Sequence, residues 1–104
     1  MSIFTKIINR EIPSTIIYED EKIIVIKDIK PLAKTHLLII PKKEIPTIND
    51  LEEVDRELLS EMFFVAKKVA KDLKIDEWYQ LHFNVWEKWW QEVMHIHMHL
   101  LSNS

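Results

Sequence analysis

His95-Ile96-His97-Met98-His99-Leu100-Leu101 is the stretch on which the reading of this chain turns. Imidazoles recur at every second position, with apolar residues between them. That is the period of a β-strand, in which alternate side chains share a face. The spacing predicts a last strand over Val93–Leu101, with His95, His97 and His99 on one face and Ile96, Met98 and Leu100 turned into a core. Rings at i, i+2 and i+4 span about 13 Å at ~3.3 Å per residue.

Such a row can contact one phosphate, supply a nucleophilic nitrogen and move protons near neutral pH. It can also hold zinc or copper, because histidine is their commonest ligand and three imidazoles form a catalytic zinc set. A solvated row without function is the third reading. The other histidines are His36 and His82, and His82, three residues after Tyr79, reads as structural or exposed. No Asp or Glu of this strand shares the triad face, so any group that orients the rings has to come from elsewhere.

Upstream, Tyr79–Val85 alternates Tyr79, Leu81, Phe83 and Val85 against Gln80, His82 and Asn84, again with strand period. Residues 51–74 carry Leu51, Val54, Leu58, Met62, Ala66, Val69 and Leu73 at steps of three and four, which predicts a long helix capped by Asn49 or Asp50. His36–Ile40, Ile23–Lys27 and Thr15–Tyr18 read as strands, the last two as a hairpin across the polar EDEK. Ile3–Ile12 suits a short amphipathic helix stopped by Pro13. These elements make one α+β domain over residues 1–104, with about five mainly antiparallel strands and both helices expected on one face.

Composition narrows the function. Fourteen Lys and Arg against seventeen Asp and Glu give a net charge of −3, without the basic excess of a general nucleic-acid binder. No apolar run approaches the ~18 residues of a membrane span and no signal-like segment opens the chain, so the expected location is the cytoplasm. With no cysteine, thiolate chemistry and disulfides are excluded. Glycine is also absent, although average usage of about 7% would place roughly seven in a chain of this size. The expectation is a sequence engineered or selected to remove glycine.

The ordered set IFTKIINREIPS at 3–14, KDI at 27–29, THLLIIPKK at 35–43, HFN at 82–84 and QEVMHIHMHLL at 91–101 resembles the histidine triad (HIT) family. Within it the chain looks like the Hint branch of purine nucleoside phosphoramidases. The resemblance implies a hydrolase or transferase of purine nucleoside monophosphate derivatives, working through a nucleotidyl-histidine intermediate without a metal or other cofactor. It implies a homodimer whose two sheets join into a ten-stranded one, partly through the long helix. By resemblance His97 is the nucleophile, His99 bonds phosphate oxygens, His95 supports the site and His36 lies near the same phosphate. Asn84 stands beside the α-phosphate, Asp28 holds ribose hydroxyls, and Phe4, Ile7, Ile26 and Ile29 line the base pocket. Gln91 closes the family's phosphate loop and is taken as a substrate contact. On the residues alone, Asp28 also reads as a turn or surface charge, Asn84 as a strand-end group, and the four apolar residues as core.

The chain departs from the family at its glycines. The loop pattern Asn-x-Gly-x-x-Gly-Gly-Gln here reads Asn84-Val85-Trp86-Glu87-Lys88-Trp89-Trp90-Gln91. Trp78 matches another family glycine, as do Thr5, Ser102 and Asn103. An indole and a Cβ obstruct the close approach of amides to a phosphate. Any loop position with positive φ would cost about 1–2 kcal/mol with a residue other than glycine. The expectation is an intact fold with weakened phosphate binding and turnover. The competing reading is a catalytically inactive scaffold that keeps the triad only because the substitutions avoided it.

Overall fold

The computed structural model describes all 104 residues. In chain order its elements are α1 (Ile3–Ile8), β1 (Ile16–Glu19), β2 (Ile23–Lys27), β3 (Thr35–Pro41), α2 (Arg56–Asp72), β4 (Gln80–His82) and β5 (Met98–Ser102). The strands form one antiparallel sheet in the order β1-β2-β3-β5-β4. This is the expected α+β arrangement of five strands with one short and one long helix. No helix is long and apolar enough to cross a membrane.

The sheet has two buried faces, which explains why β2 and β3 are continuous apolar runs (IIVI and LLII) rather than alternating ones. Ile23, Val25, Leu37, Ile39, Met98 and Leu100 pack with Met62, Val65, Ala66, Val69 and Ala70 of α2. Ile24, Ile26, Leu38 and Ile40 point the other way and pack with Phe4 and Ile7 of α1. The helices therefore cover opposite faces, not the single face expected from sequence. Periodicity shows that a helix has an apolar side but not which sheet face receives it.

Several boundaries differ for identifiable reasons. Helix α1 stops at Ile8 because Asn9 and Arg10 turn the chain: the Glu11 amide bonds the Lys6 carbonyl and the Arg10 amide the Ile7 carbonyl, with Arg10 at φ 63°. Helix α2 ends the same way, with Lys74 at φ 60° and the Ile75 amide on the Ala70 carbonyl. Its start is later than expected, since residues 48–50 and 53–55 form separate 3₁₀ turns, the first capped by Thr47 and Asp50. Val54, placed on the apolar stripe by spacing, is thus 79% exposed. The β1–β2 hairpin turns without glycine because Asp20 Oδ1 accepts from the amides of both Lys22 and Ile23 at 2.8 Å.

Strand β5 begins at Met98, five residues after the expected start at Val93. Met98 pairs with Ile39, and continuation of that register would bring the next residues beside Pro41, which has no amide hydrogen to donate. The chain bends away instead. The Ile96 amide bonds the Ile45 carbonyl at 2.7 Å, and the His95 amide bonds the Val93 carbonyl at 2.9 Å.

Candidate active site

The side chains of the triad keep their common face although only His99 lies on a strand. Leu38 faces His99 across the β3–β5 pair, and His82 faces it from β4. His36 is two residues before Leu38, and Asp28 continues the row of Ile24 and Ile26 just past β2. Period two therefore carries Asp28, His36, His82 and His99 to the α1 face of the sheet. His95 and His97 reach the same face from the bent segment, each with its ring against the edge of Phe4, centroids 5.7 and 5.0 Å apart. The His97 and His99 rings are 5.0 Å apart.

Hydrogen bonding fixes which nitrogen of each ring carries the proton. A carbonyl only accepts and a backbone amide only donates. His97 Nδ1 is 2.8 Å from the His95 carbonyl, so it bears the hydrogen and leaves Nε2 with a free lone pair. His95 Nε2 is 2.7 Å from the Pro41 carbonyl and donates to it. Its Nδ1 therefore accepts from the Ser2 hydroxyl at 2.6 Å. Ser2 Oγ in turn accepts the Thr5 amide at 3.1 Å as the cap of α1, so the first helix and the triad share one atom.

On the other side, His36 Nδ1 accepts the Leu32 amide at 3.1 Å. His36 Nε2 then donates to His99 Nδ1 at 2.9 Å, with Asp28 Oδ2 3.4 Å away. His99 is left with its hydrogen on Nε2, a buried atom with no partner in the chain. The site thus presents a free acceptor on His97 beside an unused donor on His99.

The electrostatics favour neutral rings. Burial pushes the pKa of His95 and His97 below the ordinary imidazole value. His99 is lowered to about 3, first by burial and then by repulsion from His97, His82 and His36. His82 is lowered by burial and by His36. His95 is fully buried and His97 is 7% exposed.

The remaining expected residues are placed as follows. Asp28 Oδ1 accepts the Lys30 amide at 2.8 Å and turns the loop, while Oδ2 faces His36. Asn84 lies half-buried just past β4. Phe4, Ile7 and Ile26 are buried under the triad face, whereas Ile29 is 89% exposed on the following loop. Gln91 is buried and directs its amide at its own chain. Its Oε1 accepts the Trp86 amide at 2.7 Å, and its Nε2 donates to the carbonyls of Pro46 and Val93 at 2.6 and 3.0 Å. Gln91 ties the loop to the chain that enters the triad.

Sequence reasoning set His82 aside as structural or exposed. Its ring instead stacks on His99, centroids 4.6 Å apart and planes within 6°. The signal was present in the alternation of Tyr79–Val85, which puts His82 opposite Leu81 and Phe83; what was lacking was the register with β5.

The tryptophan loop bears out the conformational concern. Trp86 has φ 77° and ψ 147°, and Trp90 has φ 65° and ψ 19°. Trp89 sits in the 3₁₀ turn between them. Trp86, Trp89 and Trp90 are 51%, 63% and 69% exposed, so the indoles turn outward rather than fill a core.

Comparison with known proteins identifies the family. The family model described as "Scavenger mRNA decapping enzyme C-term binding" matches residues 1–104. A purine nucleoside phosphoramidase of Escherichia coli (strain K12) is 48% identical over 102 residues, covering 97% of this chain and 86% of that protein. A 14 kDa zinc-binding protein of Zea mays is 45% identical over 103 residues, covering 97% and 80%. A crystal structure of a HIT family hydrolase from Legionella pneumophila Philadelphia 1 superposes with a TM-score of 0.96 at 48% identity, covering all of this chain and 94% of that one. With a family model matched over residues 1–104 and a HIT family hydrolase superposing over the whole chain at 48% identity, the chain belongs to the histidine triad family.

Proposed function

We propose that this protein is a nucleotidyl-transferring hydrolase of purine nucleoside monophosphate derivatives, phosphoramidates above all. One observation carries the reading: the His95 carbonyl holds the hydrogen on His97 Nδ1 and so presents Nε2 as a nucleophile. In the first step His97 Nε2 attacks phosphorus, the phosphorus–nitrogen bond of the substrate breaks, and the amine leaves with the proton of His99 Nε2. His36, donating to Nδ1 of His99 at 2.9 Å, stabilises the deprotonated ring until the second step returns its proton. In the second step water attacks the nucleotidyl-histidine and returns a proton to His99 Nε2, the new P–N bond breaks, and the nucleoside monophosphate leaves with His97 restored. Splitting one hydrolysis into two transfers is the advantage of a covalent route.

The same reading assigns ribose hydroxyls to Asp28, phosphate oxygens to Asn84 and His99, and the base to the apolar surface at Phe4, Ile7, Ile26 and Ile29. We take the protein to act as a homodimer. Support comes from the edge strand β4 and from Phe63 of α2, 46% exposed with its ring 6.4 Å from that of Phe83 just past β4. We read the tryptophans as products of an imposed removal of glycine that weakens phosphate binding, because Trp86 and Trp90 hold conformations glycine would favour.

The test is turnover of an adenosine phosphoramidate with mass spectrometry of the trapped protein. A mass increase of one nucleotidyl group on His97, lost in His97→Asn together with at least about a thousandfold of kcat, is the expected result. An adduct that persists in His97→Asn assigns the nucleophile elsewhere.

A second reading is a zinc module. It is favoured by Asp28, His36 and His99, whose ligand atoms all lie within 4.8 Å of one another. Two imidazoles and a carboxylate suit zinc. Stoichiometric zinc that survives dialysis and is lost in His99→Ala would establish it.

A further inference from the structure

We propose that His82 is a positioning residue of this site: by stacking on His99 it fixes the plane of that ring and so aims the unpaired Nε2–H at the substrate. The proposal rests on the hydrolase reading above for the identity of the substrate. Its structural basis is independent of it.

Four observations bear on His82. The β4–β5 register places it directly opposite His99. The two rings are parallel within 6° at a centroid distance of 4.6 Å, the only stacked pair among the imidazoles of the cluster; His36–His99 and His97–His99 are tilted by 42° and 56°. Its Nδ1 is buried without a partner. Its strand neighbours Leu81 and Phe83 pack on the opposite face with the α2 core, so β4 is anchored independently of the imidazole.

A histidine kept for structure spends its ring nitrogens on the protein, as His95 does at both ends. His82 leaves Nδ1 unspent, so its contribution lies in the face of the ring. His99 needs that face. Its Nδ1 is held by one hydrogen bond from His36, which turning of the ring about its Cβ–Cγ bond would break. The flat neighbour opposes the same turning. Nε2 then keeps one direction relative to His97, as in-line transfer demands of a proton donor.

The position could not have been assigned from the HIT motif, which ends at the triad and its upstream histidine. His82 lies thirteen residues before His95 on another strand, and only sheet pairing joins them.

The experiment compares the full chain with His82→Ala, His82→Leu and His82→Phe. It reads adenosine phosphoramidate kinetics and long-range proton–nitrogen NMR of the imidazoles. Leu keeps the volume filled should truncation unfold β4, and Phe restores a flat ring without nitrogens. We expect kcat to fall about tenfold in Ala and Leu with KM changed less than about twofold, and Phe to recover most of the loss. In the NMR, His99 should show a single Nε2–H tautomer in the parent and in Phe, and a tautomer mixture in Ala and Leu. Parent-like kcat and an unmixed His99 in both Ala and Leu would overturn the proposal. So would a Phe variant as slow as Ala, since the nitrogen and not the face would then matter. A parent with no turnover would count against the hydrolase reading alone, because the His99 tautomer pattern still decides the stack.

Discussion

The loop at 86–91 and the segment from His95 to Ser102 are neighbours in sequence and opposites in physical state. In the second, imidazole nitrogens are fixed by carbonyls, a hydroxyl and one another, and burial lowers the pKa values of the rings. In the first, three indoles face solvent and two residues occupy backbone conformations that disfavour any side chain. The triad is held mainly by partners from elsewhere in the chain, Ser2, Pro41 and His36. The loop closes on itself, with the Trp89 and Gln91 amides on the Trp86 carbonyl, and its last residue, Gln91, links the Trp86 amide to the carbonyls of Pro46 and Val93. Strain of this kind persists only where surrounding structure over-determines it.

The contrast with the helix ends sharpens the point. Arg10 and Lys74 also have positive φ, but both sit just past a helix in the left-handed position that closes its last carbonyls. The compensation there is local. Trp86, with φ 77° and ψ 147°, is outside even that region and in one essentially confined to glycine.

Acid separates the two regions most strongly. His95, His97 and His99 have lowered pKa values in the folded state, so below the ordinary imidazole value of about 6.5 the unfolded chain binds protons that the native chain does not. Stability therefore rises with pH through this window and falls on acidification, by up to about 1.4 kcal/mol per pH unit for each such ring. Urea denaturation at pH 7.5, 6.5 and 5.5 should show that fall before the carboxylates titrate. A pH-independent midpoint over this range would mean that the rings are not held neutral. The same direction of shift places the acid limb of kcat/KM below the usual histidine range.

Glycine at 86 and 90 tests the loop alone. Relief of the two conformations should stabilise the chain by about 1–3 kcal/mol at Trp86 and about 1–2 kcal/mol at Trp90. Part of this is offset by the greater freedom of glycine in the unfolded chain. Denaturation midpoints measure the gain, and a rise in kcat/KM for the phosphoramidate would show that the indoles obstruct phosphate. Unchanged kcat/KM would confine their effect to stability.

Gln91→Ala addresses the join between the regions. It strands the Trp86 amide and the Pro46 and Val93 carbonyls, at a cost of about 1–3 kcal/mol. Tryptophan fluorescence should report a loosened loop while the His97 and His95 imidazole signals keep their tautomers. Loss of those tautomers would show that the loop also orders the triad. Ser2→Ala acts from the far end, removing the α1 cap and the donor to His95. About 1 kcal/mol of stability is expected to go, with a several-fold smaller kcat at unchanged KM.

Much of the architecture was legible because its signals are local. The continuous runs at 23–26 and 37–40 marked buried strands, and the alternation at 95–101 sorted imidazoles from core residues even where the strand itself ended at Met98. Spacing at Met62, Ala66 and Val69 identified the buried side of α2. The early bend before Met98 was not legible, since it depends on Pro41 lying across the sheet with no hydrogen to give. Nor was the face chosen by each helix.

The site divides along the same line. Sequence alone determined which residue types are present and which side of the chain they share, because backbone period acts over two to four residues. Tertiary structure alone decided the ring tautomers, the place of His82 against His99, and the use of Gln91 as a clamp. Each of these depends on a partner many residues away, brought within hydrogen-bonding or stacking distance only by the pairing of β3, β4 and β5.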